Sequence, residues 1–147
     1  MTGSSNEATN AIVDLDSLRA AVTGKKNRDI EASVRETGLK PVLDQVFEGM
    51  AGRLRTDVTA DVDAVVGWTV TMGGERESYT MTVQDGRCRV KHGPPQHADA
   101  TLRLPVADFL KLVTGNLDPI GAFVRRRLRV GGNLVLASQI GSWFDQE

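Results

Sequence analysis

Apolar residues recur along this chain at two different spacings, and the switches between them mark its organisation. Over residues 39–54, Leu39, Val42, Leu43, Val46, Phe47, Met50 and Leu54 fall at the three- and four-residue spacing of one helical face, with Pro41 in a tolerated first-turn position. From Ala60 the period becomes two. Ala60, Val62, Ala64, Val66, Trp68, Val70 and Met72 alternate with Asp61, Asp63, Val65, Gly67, Thr69 and Thr71, which predicts a half-buried strand. Gly73-Gly74 turns the chain into a second strand with Tyr79, Met81 and Val83 inward. Asp85-Gly86, a strong hairpin signal, leads to a third strand with Cys88 and Val90 opposite Arg87, Arg89 and Lys91. After Gly93-Pro94-Pro95, Ala100, Leu102 and Leu104 predict a fourth strand, and Leu128 and Val130 a fifth.

Helical spacing returns between and after these strands. Val106, Phe109, Leu110 and Val113 stripe a helix over 105–114, and Asp118 caps another over 118–124 that starts with Pro119 and carries Ile120, Phe123 and Val124. A last helix, over 133–144, has an apolar arc wider than a surface helix needs: Leu134, Val135, Leu136, Ala137, Ile140, Trp143 and Phe144. Ahead of residue 39, Leu15, Leu18 and Val22, then Ile30 and Val34, predict two helices with narrow apolar faces that pack on the main domain. Residues 1–10 are small and polar and predict disorder. The expected architecture is α+β: a five-stranded, largely antiparallel sheet covered on one face by helices over 39–147, preceded by a tail and short helical extension over 1–38.

A length of 147 residues suits one domain. A net charge of −1, with two Trp, one Tyr and four Phe, gives neither the electrostatic footprint nor the stacking surface of a nucleic-acid binder. The lone Cys88 excludes an internal disulfide, and with only two histidines a standard zinc site would need carboxylates, so neither metal nor cofactor is expected. A reducing cytoplasm is the expected compartment. The N-terminal residues do not read as a secretory signal, no run of about 18 apolar residues occurs, and Trp143-Phe144-Asp145-Gln146-Glu147 is not a Ser-Lys-Leu address; the expectation is a bacterial, cytoplasmic protein.

Catalytic signals are sparse. His92 and His97 bracket Gly93-Pro94-Pro95-Gln96 with Asp99 following, the best acid–base candidates in the chain, although loop histidines without a role are commoner. No Gly-x-Ser-x-Gly elbow accompanies them. Cys88 alternates inward as a small hydrophobe. Gly131-Gly132-Asn133 reads as a tight turn, since the rest of a phosphate loop is missing.

The order Ala98-Asp99-Ala100-Thr101, Asp108-Phe109, Thr114-Gly115, Asp118-Pro119, Ala122-Phe123, Leu128-Arg129-Val130 and Gly132-Asn133 resembles the sterol carrier protein, or non-specific lipid-transfer protein, family. The resemblance covers residues 39–144. It implies an apolar tunnel between sheet and helices, covered or gated by the C-terminal helix, with Met81, Leu102, Phe109, Phe123, Leu134, Ile140 and Trp143 at matching positions. The implied function is binding and carrying a long-chain hydrophobic molecule such as a fatty acid, acyl-CoA or sterol-like lipid, without catalysis. Two alternatives stand beside it: an enzyme of this fold acting on a hydrophobic biosynthetic intermediate such as a polyketide, and an accessory module for a partner enzyme. Arg125, Arg126, Arg127 and Arg129 form the sharpest charge cluster, either a solvated face or the seat of an anionic head group or anionic membrane surface. Where relatives commonly read Phe-x-x-Gly-Lys-Leu, this chain has Phe123-Val124-Arg125-Arg126-Arg127-Leu128, with Arg126 in place of the glycine.

Overall fold

The computed structural model describes residues 15–144. At its centre are five strands, β1 (Asp63–Met72), β2 (Glu75–Gln84), β3 (Arg87–His92), β4 (Ala100–Pro105) and β5 (Arg129–Gly132), in the order β3-β2-β1-β4-β5. The first three form an antiparallel meander, β4 returns parallel to β1, and β5 closes antiparallel on β4. Turn chemistry fixes the register. Asp85 and Gly86 take φ of 55° and 70°, the pair of left-handed residues that a I′ hairpin needs, while Gly73 alone takes φ 59° in the first hairpin.

Asp99 holds the parallel pair in place. Its amide donates to the Val65 carbonyl at 2.8 Å, its carboxylate accepts from the Val65 amide at 2.8 Å, and its carbonyl accepts from the Asn133 amide at 2.9 Å. Gly132 is required beside it: at φ 75° a Cβ there would stand 2.6 Å from the Asp99 carbonyl oxygen. The Gly131-Gly132 segment is thus a close-packed strand end, as a tight turn demands.

Among the described residues seven helices accompany the sheet: α1 (Leu15–Val22), α2 (Asn27–Thr37), α3 (Leu39–Ala51), α4 (Thr56–Thr59), α5 (Val106–Val113), α6 (Pro119–Val124) and α7 (Leu134–Gln139), the last running into a 3₁₀ turn at Ile140–Trp143. Alternation along the strands places Val66, Trp68, Val70, Tyr79, Met81, Val83, Leu102 and Leu104 in the core, while Thr101 and Arg103 stay exposed. Phe47 of α3 is the hub, with its ring 5.8 Å from Trp68, 4.5 Å from Tyr79 and 5.1 Å from Phe109. Val22, Ile30 and Val34 bury in this same core, so the helical extension is part of the packed unit. The tail predicted over residues 1–10 lies outside the described residues.

Two predicted elements differ. The first strand starts at Asp63, because Thr56–Thr59 close a helical turn in which the Thr59 hydroxyl donates to the Arg55 carbonyl at 2.7 Å. The predicted single helix over 133–144 is two pieces. Asn133 caps it as expected, its side chain accepting from the Leu136 amide at 3.0 Å, but α7 fully buries none of its residues. Tightening to 3₁₀ then swings Ile140 and Trp143 inward, and Phe144 bridges to Leu54.

Candidate functional site

A cavity of about 320 Å³ lies between the inner face of the sheet and the helices, at the small end of the roughly 300–1,000 Å³ usual for small-molecule sites. Trp68 and Leu102 contribute from the sheet. Val46, Gly49 and Met50 face it from α3, Leu112 and Val113 from the last turn of α5, and Leu117, Pro119 and Leu128 from the connections around α6. Ala137, Ser138, Ile140, Gly141 and Phe144 cover it from the C-terminal segment, and Leu18 reaches it from α1. Small residues at Gly49, Gly115, Ala137, Ser138 and Gly141 leave open what larger side chains would fill. Arg53, two residues beyond α3, is the charged member of this lining.

Of the residues expected at the tunnel wall, Leu102 and Ile140 line the cavity. Met81, Phe109 and Trp143 are buried in the core without lining it, and Phe123 and Leu134 are exposed on the surface. Alternation and helical phase identify an inward face but do not say whether the space opposite is occupied. The signal for Arg53 was available: Val46, Met50 and Arg53 follow one helical stripe, and a charge on an apolar stripe marks a place where that stripe meets something other than core.

The four arginines do not form one group. Arg127 Nη2 lies 2.6 Å from Asp108 Oδ2 as an ion pair off the axis of a hydrogen bond, and Asn27 Nδ2 donates to the other oxygen at 3.3 Å. Asp108 is buried, so Arg127 is committed to neutralising it. Arg129 pairs in register with Arg103 on the exposed sheet face, while Arg125 and Arg126 stand in solvent at the end of α6. Arg126 occupies φ 64°, the left-handed conformation that suits the family's glycine. Around it the Arg127 amide donates to the Ala122 carbonyl at 2.8 Å and the Arg126 amide to Phe123 at 3.1 Å, the pattern of a Schellman cap. The same cap closes α5 with Gly115 at φ 79°.

Neither His92 nor His97 lines the cavity. His92 Nε2 lies 2.6 Å from Glu77 Oε1 and its ring meets Tyr79 edge-on, while His97 is exposed in the loop before β4. Asp99 serves the β1–β4 clasp and orients no base. Behind His92, the Tyr79 hydroxyl donates to Asp44 Oδ1 at 2.6 Å, and Lys40 donates to Asp44 Oδ2 at 2.7 Å. Partial burial acts to raise the Asp44 pKa, but the bonds from Lys40 and Tyr79 outweigh it and the net shift is downward. Burial and the same carboxylate push the Tyr79 phenol up. Burial also pushes the Cys88 thiol up to about 11, away from nucleophilic thiolate. Among the described residues no helix is long and apolar enough to cross a membrane, and no group of three or more His, Cys, Asp or Glu is placed to hold a metal.

Sheet order, helices and overall topology are those of a sterol-carrier fold. The chain belongs to the SCP-2 sterol transfer family, whose model matches residues 43–145; it is thereby a lipid-binding domain of the sterol-carrier kind. Peroxisomal multifunctional enzyme type 2 of Mus musculus is 33% identical over 100 residues, covering 65% of this chain and 14% of that protein. Among solved structures, the sec-alkylsulfatase Pisa1 from Pseudomonas sp. superposes with a TM-score of 0.65 at 20% identity, covering 70% of this chain and 16% of that one. Palmitated SCP2L2 from Aedes aegypti superposes with a TM-score of 0.53 at 16% identity, covering 65% and 86%. The structural likenesses are of fold, and this chain spans only a small part of the first two proteins.

Proposed function

We propose that the cavity beneath α7 holds the apolar part of a long-chain lipid and that the domain carries this ligand without chemistry on it. The observation that carries the reading is an open space of about 320 Å³ walled almost wholly by aliphatic and aromatic side chains in a member of a sterol-transfer family. Burial of each methylene contributes about 0.8 kcal/mol, so the chain supplies most of the affinity and walls of this kind discriminate weakly between lengths. Arg53 is the group on the lining suited to an anionic head. A palmitated protein of the same fold supports the acyl-chain form of the proposal.

The outer surface supports loading from an anionic membrane. Ile120, Phe123 and Val124 on α6 and Leu134 and Val135 on α7 are exposed, on the two helices that border the cavity, and Arg125 and Arg126 stand beside them. The presence of relatives inside larger enzymes favours the accessory reading as the rival, in which the domain serves a partner enzyme.

Native mass spectrometry of freshly purified protein, with displacement of a fluorescent fatty acid, tests the carrier reading. A co-purified lipid, and probe binding that is lost in Ala137→Phe while the fold is retained, are expected. Unliganded protein that binds no probe defeats it.

A further inference from the structure

The helices cover one face of the sheet, and the other faces solvent. On that outer face, alternation along the strands places Arg76 of β2, Arg87, Arg89 and Lys91 of β3, Arg103 of β4 and Arg129 of β5, all exposed. Between them stand hydroxyls: Thr69 and Thr71 of β1, Ser78, Thr80 and Thr82 of β2, and Thr101 of β4. Acidic groups are few. Among the described residues the strands bring one carboxylate to this face, Asp63 at a corner, and the Asp99 carboxylate nearby is held by the Val65 amide. The whole chain has a net charge of −1, so the face is a segregation of charge and not a share of a general excess. None of the six cationic side chains has an ion-pair or hydrogen-bond partner among the described residues. Arg103 and Arg129 are direct cross-strand partners, a placement in which like charges oppose pairing.

The shape of this face and the groups it lacks decide what it fits. β3 and β5 are four strand spacings apart, roughly 19 Å, so the cations cannot close together on one small anion. The connection over 93–99 crosses between them as a ridge: the Thr80 hydroxyl donates to the Gly93 carbonyl at 2.8 Å, and a Cβ on Gly67 would stand 3.0 Å from Pro95. A protein interface is built on an apolar, aromatic-rich centre depleted of charge, whereas the centre here is hydroxyls and the Pro95 ridge. Stacking of bases needs aromatic rings, and Trp68 and Tyr79 are buried on the inner face. A bilayer of anionic lipid needs neither: its head groups rearrange around an uneven surface and attract each Lys or Arg brought near.

We propose that the outer face of the sheet is an electrostatic docking surface for an anionic membrane. It lies across the sheet from the cavity and from the exposed apolar residues of α6 and α7, so it goes beyond the carrier reading and does not depend on it. A domain attached in this way turns its cavity and C-terminal cover away from the bilayer on which it rests.

The test measures sedimentation of the full chain with vesicles of phosphatidylcholine and phosphatidylserine in equal parts, and with phosphatidylcholine alone. Arg103→Gln with Arg129→Gln removes two cations from the face, and Lys25→Gln with Lys26→Gln removes two from the exposed connection between α1 and α2. Each cation near an anionic surface contributes about a factor of five, so the arginine pair is expected to weaken binding to the serine lipid roughly thirtyfold and the lysine pair less than about threefold. Arg87→Gln with Arg89→Gln reports the same loss from the opposite edge, should the first pair disturb β5. Arg103→Lys with Arg129→Lys is expected to keep binding, because a bilayer reads charge. Added salt should erase the difference between parent and arginine pair, and with phosphatidylcholine alone the two should behave alike. In an Ile120→Asp, Val124→Asp background the arginine pair is expected to give the same loss, which separates this contact from α6. Equal losses from the arginine and lysine pairs, or binding that both arginine pairs leave unchanged, overturn the proposal. Binding to poly-glutamate without binding to vesicles also overturns it and assigns the face to an acidic protein. Failure of the parent to bind a fluorescent fatty acid removes the carrier reading and leaves this docking surface standing.

Discussion

Replacing Arg126 by glycine should make this protein more stable, although the change deletes a charged side chain and adds nothing. Arg126 is the left-handed residue of the α6 cap, at φ 64°. For an L-residue this conformation costs roughly 1–2 kcal/mol, because Cβ crowds the following carbonyl. Glycine removes that cost but adds freedom to the unfolded chain worth about 0.5–1 kcal/mol, leaving a net gain of about 0.5–1 kcal/mol. For a chain of this size, that is a rise in Tm of about 2–3 °C. Urea unfolding followed by the fluorescence of the buried Trp68 and Trp143 reads the difference as a higher midpoint at unchanged slope. Arg126→Ala is the control: it keeps the Cβ and removes the charge, so it stays within about 0.5 kcal/mol of the parent. Gly115→Ala supplies the mirror image in the α5 cap, where glycine already sits at φ 79°, and should lose about 1 kcal/mol. A glycine variant no more stable than the alanine variant would refute the strain argument.

Three further outcomes are expected. Arg127→Met strands the carboxylate of Asp108, whose side chain is only 5% exposed; loss of one partner of a buried pair costs about 3–5 kcal/mol, and with Arg127 half in solvent a loss of about 2 kcal/mol in urea unfolding is expected, largely recovered in the double variant with Asp108→Asn. The raised pKa of Tyr79 means that the folded state keeps a proton which the unfolded chain releases above about pH 10; stability is therefore full below that value and falls as pH rises past it, and a thermal series in which Tyr79→Phe keeps the same alkaline slope would count against this. Ile120→Asp with Val124→Asp should reduce sedimentation with vesicles of anionic lipid while leaving fatty-acid binding in solution intact, and unchanged sedimentation would remove α6 from the membrane-contacting surface.

Most of the sheet was legible in the sequence, because alternation over β1, β2 and β4 states both the element and its buried face. The caps at Asp118 and Asn133 were legible for an equally local reason, since each side chain bonds an amide three residues on. The cavity was much less so. Leu18, Gly49 and Leu117 come together from distant parts of the chain, and, the charge at Arg53 apart, nothing local distinguishes a residue facing an opening from one facing Phe47. Phe123 and Leu134 show the opposite failure: an apolar position on an amphipathic helix was read as internal, yet α6 and α7 are too short and too peripheral to bury both of their sides. Arg126 was legible as a departure, but its outcome, a preserved cap with the strain retained, depends on backbone bonds that composition does not encode.

The bridge between Leu54 and Phe144, reinforced by the Arg55 amide donating to the Trp143 carbonyl at 2.6 Å, joins segments far apart in the chain and ties the C-terminal segment to the connection between α3 and α4. Compared with the sheet, where β1 is bonded along both edges, α7 is thinly held: it fully buries none of its own residues, and the anchoring falls to Ile140, Trp143 and Phe144 beyond it. Local opening free energies follow such differences. The amides of α7 should therefore exchange with solvent well before those of β1. For the proposed lipid, a brief detachment of α7 widens the way into the cavity while the sheet beneath stays intact.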